Sequence, residues 1–158
     1  MLIEEFKAAA GKYPTGITIV SAKYNNNFYG FTSNSFSSVS LEPTLVSFCL
    51  STKANSFDAF INTKNFAINI LESSQKDLAI HFSSPIANKF QNIDFIENKF
   101  GTPIINNSLS SIECENYQQI NCGDHYIFIG KVFKVQINSD LKNKSPLIYY
   151  GKSYTELK

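Results

Sequence analysis

Three polar segments carry the side chains able to do chemistry. Gly123-Asp124-His125 is a tight corner that opens directly into Tyr126-Ile127-Phe128-Ile129-Gly130-Lys131-Val132, a run rich in β-formers, so one of the two histidines is delivered to the mouth of a sheet. Thr32-Ser33-Asn34-Ser35-Phe36-Ser37-Ser38 crowds small hydrogen-bond donors just after a strand-like run. Ser51-Thr52-Lys53-Ala54-Asn55-Ser56 leaves another strand and enters a helical pattern capped at Asn55. The free N–H groups of a first helical turn suit an anion, and Lys53 adds a full positive charge. Together the segments read as a site for a phosphorylated, planar cofactor held mostly by hydrogen bonds. Each also has a plainer reading: a polar hairpin end, an N-cap in a solvated loop, and a histidine that satisfies a backbone carbonyl.

Other chemistries lack their residues. No Gly-x-Gly occurs, so a Rossmann-type dinucleotide site has no fingerprint, and no P-loop pattern is present. His81 and His125 lie far apart in sequence, without the paired His/Cys/carboxylate spacing of a metal centre, and no nucleophile elbow accompanies any serine. All 14 basic residues are lysine, so guanidinium recognition of phosphate is impossible and any anion must be held by Lys, hydroxyls and backbone N–H groups. The net charge of +1 argues against a polyanion-binding surface such as one for nucleic acid.

The elements that must position these residues follow from hydrophobic periodicity. At 158 residues and 43% hydrophobic content the chain reads as one globular domain, residues 1–158. Leu2, Ile3, Phe6, Ala9, Ala10 and Tyr13 recur at helical spacing, predicting a helix over 3–13 that ends at Pro14. Residues 16–24 and 28–33 form a hairpin across the Asn25-Asn26-Asn27 turn, and strands follow over 44–50 and 65–71. Short helices are expected over 55–63, and over 74–82 with Ser74 and Asp77 in capping relation. Residues 84–107 read as irregular with a turn at Gly101, and strands over 110–117, 125–137 and 146–150 complete the chain. The half-strand 126–129 is apolar on both faces and must be covered on both, which predicts a second subunit as its outer cover. Without βαβ alternation, the pattern is a small antiparallel barrel with helical decorations. Cys49, Cys114 and Cys122 form no CxxC pair, Cys49 and Cys114 in strand-like runs read as buried reduced thiols, and no apolar run reaches the length of a membrane span; with no signal peptide at the start, the expected location is the cytoplasm.

Four ordered motifs then carry a resemblance covering residues 6–157. They are Phe6-Lys7-Ala8-Ala9-Ala10-Gly11-Lys12-Tyr13-Pro14-Thr15-Gly16-Ile17-Thr18-Ile19-Val20, the segment Gly30-Phe31-Thr32-Ser33-Asn34-Ser35-Phe36-Ser37-Ser38-Val39-Ser40-Leu41-Glu42-Pro43, the Gly123-Asp124-His125 corner with Phe128 and Gly130, and Leu147-Ile148-Tyr149-Tyr150-Gly151-Lys152-Ser153-Tyr154. In order and spacing the chain resembles the flavin reductase family with the FMN-binding split barrel, the NAD(P)H:flavin oxidoreductases that serve two-component flavin-dependent monooxygenases. The resemblance implies a mainly β, antiparallel Greek-key split barrel with short flanking helices, forming a homodimer with flavin at or near the subunit interface. It implies that Thr32, Ser33, Asn34 and Ser35 line the isoalloxazine, that Ser51, Lys53, Asn55 and Ser56 hold the ribityl phosphate, and that Phe82 approaches the flavin. Thr15 and His125 are expected beside the exposed ring face, where nicotinamide stacks. The cofactor is expected to be FMN, with FAD as the alternative, and the co-substrate NADH or NADPH. One departure is that relatives often carry arginine in the phosphate loop, where this chain has Lys53. A flavoprotein that retains FMN as an electron carrier, and a flavin-binding module without turnover, are the competing functions.

Overall fold

A computed structural model describes residues 1–157. Helix α1 (Leu2–Ala10) leads into the two-residue strand β1 (Thr15–Gly16), then β2 (Thr18–Tyr24), β3 (Asn27–Ser33), β4 (Ser37–Leu41) and β5 (Thr44–Ser51). Helix α2 (Phe57–Asn62), β6 (Asn65–Ile70) and, after a 3₁₀ turn, α3 (Lys76–Ser83) follow. Then come β7 (Phe95–Glu97), β8 (Pro103–Ile105), β9 (Ser110–Cys122), β10 (His125–Ile137), β11 (Leu147–Tyr150) and β12 (Ser153–Glu156). The expected β5, β6 and β10 are present with ends within a residue or so, while β9 runs five residues further than its expected end.

The main sheet has the order β3-β2-β6-β9-β10-β5-β4, and its described pairings are antiparallel. β3 and β4 lie at opposite edges, yet only Asn34, Ser35 and Phe36 separate them. Three residues reach at most about 14 Å between flanking Cα atoms, so the sheet must roll until its edges nearly meet. That makes a barrel with a split, and Asn34–Ser35–Phe36 lie across the split.

Local chemistry sets the hairpins. Asn25 and Asn26 both take positive φ, the type I′ turn that matches strand twist, and Gly151 and Lys152 do the same between β11 and β12. Between β9 and β10 only Gly123 has positive φ, as a type II′ turn requires. The barrel interior holds Val20, Val46, Phe48, Leu50, Phe60, Phe66, Ile68 and Phe128, with the Phe48 and Phe128 rings stacked at 5.0 Å. Gly130 is required there, because a Cβ would overlap the Phe66 ring and lie 2.8 Å from Cys114 Cβ. A second cluster, including Ile17, Leu71, Phe82, Phe90 and Leu147, binds α3 and the C-terminal hairpin to the outside of β2 and β3.

Four local expectations are corrected. The segment read as irregular contains the β7–β8 hairpin, pinned by Ser21 Oγ donating to Pro103 O (2.6 Å) and Ile105 N donating to Asn69 Oδ1 (3.0 Å). The first helix ends at Ala10, before Tyr13, and buries none of its residues. Ahead of α3 the cap is Glu72, which accepts from Ser74 N while Gln75 Oε1 accepts from Glu72 N, in place of the Ser74–Asp77 pair. The strand expected over 125–137 is not regular throughout: a register shift between Val132 and Lys134 bulges it, so that Val132 packs on the core, Phe133 meets Phe100 at 5.4 Å, and Lys134 pairs with the buried Glu113 at 2.9 Å.

Candidate flavin and nicotinamide site

The strand–split–strand segment uses its hydroxyls in two ways. Thr32 Oγ1 donates to Ala79 O of α3 (2.6 Å), and Ser33 is buried, its carbonyl accepting from Thr18 Oγ1 (3.2 Å). Ser33 Oγ lies 2.9 Å from Ser35 Oγ and accepts from Ser35 N (3.2 Å). Ser35 Oγ then reaches across the split and accepts from Cys49 N of β5 (2.9 Å). The β4–β5 ladder begins at Ser37↔Ser47, so two residues beyond it Cys49 N–H takes a side chain in place of a strand partner.

Beside this split lies the largest cavity described, about 840 Å³, a size suited to a cofactor and a co-substrate. Asn34, Ser35, Thr15 and Ser37 line it, with Tyr149 and Lys152 of the C-terminal hairpin and Phe6 and Tyr13 from the α1 end. Thr15 is positioned by its pairing with Tyr149, and its Oγ1 is buried without a hydrogen-bond partner. An orphaned hydroxyl in a cavity wall fits a site that receives a polar ligand. Tyr149 and Lys152 were not singled out as site residues from the sequence; the signal was there in the C-terminal motif, but only the β1–β11 pairing brings them to Thr15.

His125, Ser51 and Lys53 form a rim next to the split. His125 pairs with Ser51 on one side and Cys122 on the other. Thr52 N donates to Asp124 O (3.0 Å), and Ser51 Oγ accepts from Lys53 N (3.3 Å), so the two loops are fastened together. His125 Nδ1 lies 2.7 Å from Asp124 Oδ1, and this hydrogen bond holds the Asp124 carboxyl below its ordinary value. Asp124 thereby fixes the Nδ1–H tautomer and leaves Nε2 for a ligand. Ser51 is two residues beyond Cys49 on the same face of β5, about 7 Å further along, which links this rim to Ser35. His125, Ser51 and Lys53 are not in the wall of the large cavity itself.

The remaining expected residues are placed elsewhere. Asn55 and Ser56 border a separate cleft of about 50 Å³, with Tyr29 and Gly30 of β3 and Ile86, Ala87 and Lys89 from the segment after α3. Helix α2 starts at Phe57, so Asn55 does not cap it, and Ser56 at the cap position makes no side-chain capping bond. Phe82 is fully buried, its ring against Gly30 and 5.0 Å from Phe90, in the second core cluster and away from the cavity wall. Among the described residues, no helix is long and apolar enough to cross a membrane.

A split antiparallel barrel with a large cavity at its split defines a class of small flavin-handling folds, and comparison with known proteins places the chain within it. Residues 10–158 match the family model for the flavin reductase like domain. The chain is 34% identical over 150 residues, 95% of its length and 80% of the relative's, to the reductase subunit HsaB of a flavin-dependent monooxygenase from Mycobacterium tuberculosis. Its structure superposes with a TM-score of 0.94 and 33% identity on nitrilotriacetate monooxygenase component B from Mycobacterium thermoresistibile, covering 99% of this chain and 87% of that one. It also superposes, at a TM-score of 0.92 and 27% identity, on the NADH:FAD oxidoreductase SgcE6 of Streptomyces globisporus, solved with NAD and FAD fragments, over 99% of this chain and 93% of that one. The chain belongs to the flavin reductase-like family, oxidoreductases that pass a hydride from NAD(P)H to flavin.

Proposed function

We propose that this single-domain protein reduces FMN or FAD with NADH or NADPH at the split, releases the reduced flavin, and so supplies a partner flavin-dependent monooxygenase. The observation that carries the reading is the cavity beside Asn34 and Ser35, whose wall includes Thr15, the residue with the buried, unpartnered hydroxyl. The bound pair supplies the chemistry, hydride transfer from nicotinamide C4 to flavin N5, for which reacting atoms must approach to about 3–3.5 Å. The chain's own task is placement. Asn34 and Ser35 contact the ring edge that gains charge on reduction, on a backbone that Thr32 and Ser33 hold rigid. Thr15 and His125 orient the nicotinamide, and Ser51, Lys53, Asn55 and Ser56 face the phosphate end.

The working unit in this reading is a cytoplasmic homodimer. Leu2, Ile3 and Phe6 of α1 are exposed, as are Val135 and Ile137 of β10, while Ile127 and Ile129 are only half covered. These apolar positions suit a second copy, whose surface would bring the rim of His125 and the cavity of Thr15 under one cover.

The test is to incubate the purified protein with free FMN, FAD or riboflavin and each reduced nicotinamide, following absorbance of the reduced nicotinamide. Multiple turnovers per protein are expected. Absence of oxidation with every pair sinks the reading, and a single turnover with flavin retained through gel filtration replaces release with electron carriage. Light scattering that finds a monomer at micromolar concentration with flavin present refutes the dimer.

A further inference from the structure

The wall of the large cavity carries two cations and, among the described residues, no acid. Lys7 and Lys152 line it, and no Asp or Glu does, although the whole chain is nearly balanced at 14 lysines against 13 acidic residues. A cleft lined by one sign of charge favours a ligand of the other. The two cations differ in what they already hold. Lys7 Nζ lies 3.0 Å from Glu4 Oε1, whereas Lys152 has no carboxylate within ion-pairing distance among the described residues. The backbone fixes where Lys152 stands. Gly151 and Lys152 are the two-residue turn between β11 and β12, and Gly151 N donates to Gly11 O just beyond α1 (3.0 Å). Tyr149 pairs with Thr15, so Lys152 lies two to three residues past the level of Thr15, about 7–10 Å along the hairpin. The cavity therefore has hydroxyl and amide groups at the split, Thr15 on β1, and an unpaired ammonium at the α1 end.

We propose that Lys152 binds the pyrophosphate bridge of the reduced nicotinamide dinucleotide, and so sets how firmly the hydride donor is held. The proposal rests on the flavin reductase reading, in which Asn34 and Ser35 take the flavin ring and Thr15 the nicotinamide. The groups assigned to the flavin's phosphate end, Ser51, Lys53, Asn55 and Ser56, are outside this wall, so the cation at the α1 end is left for the second ligand. One ribose separates a nicotinamide ring from its first phosphate, a gap that suits a long, flexible lysine rooted a few residues past Thr15. Lys7 is secondary, because Glu4 already holds it. The rival role for Lys152 is structural: a cation beside the last turn of α1 complements the negative end of that helix.

The test measures KM at saturating flavin, with the full chain, for four hydride donors: NADPH, NADH, reduced nicotinamide mononucleotide, and 1-benzyl-1,4-dihydronicotinamide, which has no phosphate. The variant is Lys152→Asn, because Lys152 has φ 66° and Asn accepts left-handed backbone. Its KM for NADH, divided by its KM for the benzyl donor, is expected to rise on the order of 10-fold, the lower end for a lost charge-assisted hydrogen bond. NADPH should show the same rise, and Lys152→Arg should recover much of it. A rise shared by the reduced mononucleotide assigns the phosphate on the nicotinamide ribose, and a rise that spares it assigns the other phosphate of the bridge. An equal rise in KM for all four donors overturns the proposal in favour of the structural role. A rise confined to NADPH overturns it in favour of the 2′-phosphate, and an unchanged KM for NADH overturns it outright. If Lys152→Asn does not fold, Lys152→Gly takes its place, since Gly adopts positive φ at no steric cost. Failure of the flavin reductase reading is seen separately, as the absence of protein-dependent oxidation of every donor by the parental chain.

Discussion

Replacing Ser35 by Ala separates the two roles its hydroxyl plays. The parental Oγ accepts from Cys49 N at 2.9 Å and touches Ser33 Oγ at 2.9 Å, joining the barrel's edges where the β4–β5 ladder has ended. Removing the acceptor orphans the Cys49 N–H. A buried orphan costs about 1–3 kcal/mol, but Cys49 is only partly buried, so water offsets some of it. We expect about 1–2 kcal/mol, which for a chain of this size lowers Tm by about 2–8 °C. Ser35→Thr keeps a hydroxyl and should recover much of the loss. Ser35 also lines the cavity, so the Ala variant should reduce flavin more slowly at saturating flavin and favour oxidised over reduced flavin more strongly than the parental protein does. Calorimetry reads the first effect, and stopped-flow reduction below the shifted Tm reads the second. An unchanged Tm refutes the pinning of the split by Ser35 Oγ, and a parental reduction rate at saturation refutes contact with the ring.

Three further outcomes are expected. His125→Ala should raise the apparent KM for the nicotinamide or slow reduction, by up to on the order of 100-fold for a lost positioning contact, with flavin affinity near parental; Asp124→Ala should act in the same direction more weakly, and unchanged nicotinamide kinetics in His125→Ala end the assignment. Of the three thiols, Cys122 is exposed and should react first with a disulfide reagent near pH 8, whereas Cys114, pushed up to about 12 by burial and by neighbouring Glu113, should react only on unfolding; prompt labelling of Cys114 contradicts the core packing. Although burial opposes it, hydrogen bonds from Ser74 and Ser73 and the charge of Lys144 hold Glu72 below its ordinary value, so its contribution to stability is present above about pH 4.5 and is lost as pH falls through the lower native value; Glu72→Gln should flatten that acid limb of a Tm–pH curve, and an unchanged limb refutes the cap.

What could be read from the sequence divides along a physical line. β10 was legible nearly to the residue because its β-formers and the Gly123-Asp124 turn are local signals, and the β2–β3 hairpin because two Asn residues accept positive φ. The Val132–Lys134 bulge was not legible, since a strand pattern assumes an unbroken register and a bulge shows only in the pairing across strands, where Lys134 meets the buried Glu113. The Asn55 cap failed for a similar reason: cap preference is a local tendency, and the helix begins one residue later, with Ser56 at the cap position. Phe82 could be placed on α3 but not oriented, and Gly30, having no Cβ, draws its ring into the core.

The site's position follows from the way the sheet closes. A barrel closed by backbone ladders has no unpaired N–H or C=O at its split, so nothing there is available for a polar ligand. Here closure is made by three residues and by side-chain bonds such as Ser35 to Cys49, which hold the edges together while leaving a cavity between them. Thr32 and Ser33, spent on α3 and on the split, are what keep Asn34 and Ser35 in one place. The Ser- and Asn-rich loop is thus neither a solvated hairpin end nor wholly a ligand cradle: its first two hydroxyl residues hold the backbone, and its next two residues face the cavity. A variant that removes Thr32 Oγ1 should accordingly loosen flavin binding without touching flavin, and adding it to Ser35→Ala should give less than the sum of the two losses, because both act on the same short span.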